Sequence, residues 1–259
     1  MSVRDCVWVD EKGRKRNRMG NRWNVKTYGK GLAGRPNQDQ CCSAASGQYI
    51  VMTLADGVSS CSMAREGARI ACEALTNLFL KNSRYFLNCS REQTANFALA
   101  HVLCELRRAS EKSGIPLKEY ASTLVSVLYD RKSGRLLYFS LGDSMILASG
   151  SGHCGVLALP SDSRRGCCVT TTTHAERMVK TAVIDGAGLD ILVLCSDGAW
   201  KELFAGNLMK PETISALLNQ DPEELQDYLE LQESTDDCSF AAMNLAQARQ
   251  SVYTQACRV

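Results

Sequence analysis

What the sequence lacks narrows it before any motif does. No uninterrupted apolar run approaches the roughly 20 residues that a membrane-crossing helix needs, and the opening Met1-Ser2-Val3-Arg4-Asp5 has no apolar core of a secretion signal. The expected compartment is therefore the cytoplasm, with no membrane partner. Cys-x-x-Cys spacing is absent although the chain holds 13 cysteines. Their number is odd, they lie in apolar segments such as Val193-Leu194-Cys195, and Cys41-Cys42 and Cys167-Cys168 are adjacent pairs. They read as small core hydrophobes in a reducing cell. No second His or Cys stands at metal spacing to His101, so a packed histidine is the simpler account of it and structural zinc is not expected. An excess of one charge is lacking too: a net +2 gives no global argument for nucleic acid.

What is present suits an ordinary globular protein: 259 residues, 45% hydrophobic and 22% charged, enough for a sizeable core. The expectation is one domain over 1–259, with a basic N-terminal arm (about 1–23) and a C-terminal segment (about 244–259). Lys12, Arg14, Lys15, Arg16, Arg18 and Arg22 make the arm basic, with Trp23 close behind. A solvated hairpin or tail explains it more simply than a docking site for an acidic or phosphorylated partner.

The chain organises itself around Tyr49-Ile50-Val51-Met52-Thr53-Leu54-Ala55-Asp56-Gly57. Residues 50–55 cannot all face solvent, so the run is a strand covered on at least one side, delivering a carboxylate to its exit. On this fragment alone an ordinary Asp-Gly turn is the simpler explanation. A second copy shifts that balance: Leu189 to Cys195 is again apolar, and Ser196-Asp197-Gly198 follows. A third acidic terminus, Ser234-Thr235-Asp236-Asp237, precedes the apolar run that ends at Met243.

Between these landmarks the period changes. A strand breaks into a Gly-, Lys- and Asn-rich loop over 24–39, and a hairpin over the next two strands is expected to place Asp39 near Asp56. Helical spacing predicts helices over 62–81 and 91–113, the second ending before Gly114 and Pro116. Three β-rich stretches over 122–129, 135–141 and 145–148 predict an antiparallel meander, with Asp143 in the tight turn before the last. Further short strands are expected over 150–173, 175–188 is weakly patterned, and 211–231 is helical.

In an antiparallel α+β chain the start of one strand meets the end of its neighbour, so Asp236 can face Asp56 and Asp197. Hard oxygen donors without histidine or thiolate favour Mg²⁺ or Mn²⁺. Carboxylates left together without a partner would repel, which makes a cation their natural companion.

Asn37-Gln38-Asp39, Ala55-Asp56-Gly57, Ser122-Thr123-Leu124, Gly142-Asp143-Ser144, Cys195-Ser196-Asp197-Gly198 and Asp236-Asp237-Cys238-Ser239 occur in the order found in a known family. The chain resembles the metal-dependent serine/threonine protein phosphatases of the 2C type (PPM family), especially their compact bacterial members. The resemblance implies an α+β fold, an αββα sandwich of two antiparallel β-sheets flanked by helices, with a two-metal site in the cleft at one end. It implies that Asp56 bridges two Mn²⁺ or Mg²⁺ ions, that the Gly57 carbonyl binds the second, and that Asp197 and Asp236 hold the first. Asp39 would orient metal-bound waters, and Asp143 matches the aspartate of a third, weaker ion. Arg35 is the candidate phosphate binder.

The implied reaction is hydrolysis of phosphoserine and phosphothreonine in proteins by a water that two metals activate, with phosphorylated substrates of a serine/threonine kinase as partners and a monomer as the expected state. The alternative is a catalytically weak or inactive relative that binds phosphoproteins. Two departures from the family pattern motivate it: Lys201 stands where an aspartate often helps to hold the third metal, and Arg35 lies next to, not at, the place of the family's phosphate-binding arginine. Val58 stands where many members have His, though bacterial members lack that His too, and Gln38 where glutamate is frequent. The stretch between Asp143 and Asp197 is also short, which implies a reduced flap.

Overall fold

A computed structural model describes residues 25–32, 35–161 and 167–256. The basic arm expected over 1–23 lies outside them. Strand β1 (Val25–Lys30) is followed by the hairpin β2 (Gln40–Ser46) and β3 (Tyr49–Ala55). Helix α1 (Ala64–Lys81), the single turn α2 (Ser83–Phe86) and helix α3 (Arg91–Ser113) come next. Strands β4 (Leu124–Asp130), β5 (Arg135–Leu141), β6 (Met145–Gly150), β7 (His153–Ala158), β8 (Lys180–Asp185) and β9 (Ile191–Cys195) lead to helix α4 (Asp197–Leu203). A small ribbon, β10 (Phe204–Ala205) and β11 (Leu208–Met209), precedes α5 (Pro211–Leu218), α6 (Pro222–Glu230), β12 (Cys238–Asn244) and α7 (Leu245–Ala256).

The large strands form two five-stranded antiparallel sheets, ordered β2-β3-β4-β5-β8 and β1-β12-β9-β6-β7. Alternation within strands explains how they stack. In β3, Ile50, Met52 and Leu54 point into the core shared by the two sheets, while Val51 and Ala55 face α1 and α3. In β9, Leu192 and Leu194 face that shared core, while Ile191, Val193 and Cys195 pack under α4, α5 and α6. Both motif strands are thus buried on both faces, as their continuous apolar runs predict, and the architecture is the expected αββα sandwich of two antiparallel sheets flanked by helices.

Local chemistry sets the helix ends. Ser90 and Gln93 form a reciprocal capping box at the start of α3, and Gly114 closes its other end in a left-handed conformation (φ 73°). The close approach of α1 to its neighbours depends on Gly67, where a Cβ would lie 2.2 Å from the Tyr120 carbonyl oxygen. One buried polar set crosses the helix–sheet layer: Thr76 Oγ1 donates to Thr53 Oγ1 at 2.8 Å, which lies 2.8 Å from Ser126 Oγ.

The expected meander is corrected. β4 and β5 form a hairpin, but β6 leaves that sheet and pairs with β7 and β9 in the other. The turn at Gly142–Ser144 is therefore a crossing between sheets. The weakly patterned segment contains β8, a partly exposed edge strand paired with β5. His101 is partly exposed, not packed in the core. None of the eleven described cysteines is in a disulfide, and six of them are buried. Among the described residues no helix is long and apolar enough to cross a membrane.

Candidate active site

The acidic residues gather at one end of the sandwich because strand register delivers them there. β2 and β3 pair with Gln40 opposite Ala55, so the residues flanking that pair, Asp39 and Asp56, stand side by side. β12 and β9 pair antiparallel with Phe240 opposite Cys195, so Asp236 enters the sheet where Asp197 leaves it. The first pair comes from one sheet and the second from the other, and the carboxyl of Asp56 feels the charges of both Asp39 and Asp197.

The two Asp-Gly glycines permit close packing. A Cβ on Gly57 would lie 2.7 Å from the Ala64 carbonyl oxygen, at the first turn of α1. A Cβ on Gly198 would lie 2.1 Å from the Asp237 carbonyl oxygen and 3.2 Å from the Asp236 Cβ. Gly198 thus lets the start of β12 press against the start of α4. The bridge between Gly57 and Ser122 uses the Asp56 and Ala121 carbonyls as acceptors, which leaves the Gly57 carbonyl outside it.

Several organising residues carried no assigned role in the sequence. Thr123 Oγ1 accepts from the Asp56 amide at 3.1 Å and lies 3.1 Å from Ser144 Oγ, so one side chain joins the Asp56 strand exit to the sheet-crossing turn. Trp200 Nε1 donates to the Asp143 carbonyl at 2.8 Å, tying α4 to the same turn. Asp237 is buried and accepts from the amides of Leu32 at 3.1 Å and Gln38 at 2.8 Å, clamping the loop that carries Arg35. Asn37 Oδ1 accepts from the Asp39 amide at 2.7 Å, while its Nδ2 donates to Ser239 Oγ. The adjacency of Asp236 and Asp237 in sequence was the available signal: one faces the cleft and the other is inside.

Electrostatics separates the floor of the site from its rim. Burial raises the Asp39 carboxyl to about 7, and the neighbouring Asp237 charge adds to it. Burial also raises Asp56 well above the usual carboxylate range, helped by the charges of Asp39 and Asp197. Both Asp39 oxygens and Asp197 Oδ1 are buried without a well-formed hydrogen bond. The rim carries cations: Lys201 Nζ lies 2.5 Å from Asp197 Oδ2, and Arg35 Nη2 lies 3.9 Å from Asp236 Oδ1. Asp143 is half-buried, and burial followed by the Asp197 charge raises its pKa, against the pull of the nearby Cys167 thiol and Lys201. Val58 flanks the floor with an apolar side chain, its amide donating to Ala121.

Among the described residues no three His, Cys, Asp or Glu side chains form a ready-made cage for a metal. Zinc requires such a cage, whereas Mg²⁺ keeps several waters and binds through one or two carboxylates with phosphate completing its sphere. Orphaned, mutually repelling carboxylate oxygens beside a free carbonyl therefore fit a hard divalent cation.

The sequence profile described as Protein phosphatase 2C matches residues 31–232. That span is most of the chain, and the chain belongs to the protein phosphatase 2C family. Several solved structures share its fold. A bacterial serine phosphatase matches with a TM-score of 0.59 at 15% identity, covering 86% of this chain and 98% of the other. Serine/threonine phosphatase Stp1 from Staphylococcus aureus gives 0.59 at 14%, covering 86% and 94%. RsbX in complex with magnesium gives 0.58 at 15%, covering 85% and 94%. At these identities the likeness establishes the fold. No curated protein sequence is significantly similar to the chain.

Proposed function

We propose that this chain is a protein phosphatase that hydrolyses phosphoserine and phosphothreonine in proteins with two Mn²⁺ or Mg²⁺ ions, acting on substrates of a serine/threonine kinase. The observation that carries this is the meeting of Asp39, Asp56 and Asp197 from separate segments, with buried carboxylate oxygens that no protein donor satisfies. Asp56, the Gly57 carbonyl, Asp197 and Asp236 are the residues to hold the ions, and Asp143 a third, weaker one. When bound, the ions would lower the pKa of a water and offset charge on the phosphoryl oxygens.

The chain's own residues do the positioning. Asp39 accepts hydrogen bonds from water at the floor and orients it toward phosphorus. Arg35, on the exposed loop, offers a planar fork of donors to the phosphate. Val58 has no proton to give, so the leaving oxygen takes its proton from solvent. Cys167 stands near Asp143, but burial and that carboxylate push its thiol up to about 12, so it is a poor nucleophile at neutral pH. No phosphoenzyme is needed.

A second reading, a weak or inactive phosphoprotein-binding relative, is favoured by the cations already resting on Asp197 and Asp236. One experiment separates the two. A phosphothreonine peptide is expected to be hydrolysed with Mn²⁺, not in EDTA, and at least about 100-fold more slowly by Asp197→Ala. Turnover that survives EDTA or the substitution refutes the mechanism; no turnover under any condition, with a phosphoprotein still bound, establishes the second reading.

A further inference from the structure

Lys201 lies four residues after Asp197 on α4, and an aspartate–lysine pair at this spacing is ordinary on an exposed helix face. Here the two partners differ. The Asp197 side chain is only 14% exposed whereas that of Lys201 is 53% exposed, so the ammonium reaches inward from the rim to a carboxylate that belongs to the cleft. The lysine occupies Oδ2, and the other oxygen, Oδ1, is buried without a partner. The charges of Asp236 and Asp143 act on the same ammonium. One ammonium thus feels all three carboxylates on this side of the site, and Arg35 assists only at 3.9 Å from Asp236.

We propose that Lys201 is a tethered counter-ion of the metal site: it supplies one positive charge to Asp143, Asp197 and Asp236, reserves Asp197 Oδ1 for a divalent cation, and weakens the binding of that cation. The proposal rests on the metal-dependent reading above. Without metal the ammonium relieves the repulsion among these carboxylates. With metal it becomes a like charge about one carboxylate away, which at water-like screening weakens binding on the order of tenfold.

The test reads metal affinity directly, by the electron paramagnetic resonance signal of free Mn²⁺, in the wild type, Lys201→Met, Lys201→Gln and Lys201→Arg. The two neutral variants are expected to bind Mn²⁺ about tenfold more tightly, with the gap closing as salt rises. Lys201→Arg keeps the wild-type affinity. In EDTA the neutral variants are expected to melt about 2 °C lower than wild type, and in saturating Mn²⁺ this order reverses. Mn²⁺ affinity in the folded neutral variants equal to or weaker than wild type overturns the proposal and leaves the metal-dependent reading standing. Absence of Mn²⁺ binding in the wild type and every variant overturns both.

Discussion

Asp39 carries both carboxylate oxygens into a place where no donor meets them well, although the hydroxyls of Ser196 and Ser239 stand close enough to pull its pKa down. Burial wins, and the native pKa rises from 3.8 to about 7. A raised carboxyl pKa means that the folded state holds more protons than the unfolded chain between these two values, so in EDTA this group makes stability fall as pH rises from 3.8 to about 7, with the loss complete above. Asp39→Asn mimics the neutral form. In EDTA it is expected to melt a few degrees above wild type at pH 8 and level with it at pH 3.5, and saturating Mn²⁺ should shrink the gap at pH 8. Melting curves across pH check this. Thr123 offers a second test at this scale. Thr123→Val keeps the shape but leaves the Asp56 amide without its side-chain acceptor, and should cost about 1–3 kcal/mol in urea unfolding.

At the scale of elements, the contact between α4 and β12 is the tightest seam of the site. A methyl on Gly198 meets the Asp237 backbone, so Gly198→Ala should cost about 1–3 kcal/mol or more and weaken Mn²⁺ binding by spreading Asp197 from Asp236. Gly155→Ala on β7, where a Cβ meets nothing within 4 Å, is the control expected to change neither. Element types were legible where one period dominated: α3 spans Arg91–Ser113 as its spacing predicts, and the apolar runs before Asp56 and Asp197 are strands buried on both faces. The exit of β6 was not legible, because a tight turn with Gly142 and Asp143 looks the same in sequence whether the next strand folds back or crosses to another sheet. β8 was hidden for another reason: as a partly exposed edge strand it has no clean alternation to display.

For the whole molecule, the proposed ions would stand between two sheets that contribute carboxylates from opposite sides. A ligand bound only by the folded state stabilises it by mass action, so Mn²⁺ at 100 times its dissociation constant should add about 2.7 kcal/mol of stability, and Asp56→Ala should abolish the gain. Thermal unfolding with Mn²⁺ against EDTA measures it. The sequence displayed the acids that end strands, since each follows or precedes an apolar run. It did not display Asp237, Trp200 or Thr123 as organisers, because their roles depend on which loop or turn arrives beside them.

The strand order has a consequence in time. Sheet β2-β3-β4-β5 is built largely from neighbours in the chain, so Asp39 and Asp56 can meet once the β2–β3 hairpin closes. The other sheet waits: among the described residues its first strand, β1, pairs with its last, β12, which must slot between β1 and β9. Pairings between distant segments close late. During synthesis Asp236, which precedes β12, is therefore expected to join Asp39, Asp56 and Asp197 last, so that the proposed ion site is complete only after β12 has left the ribosome.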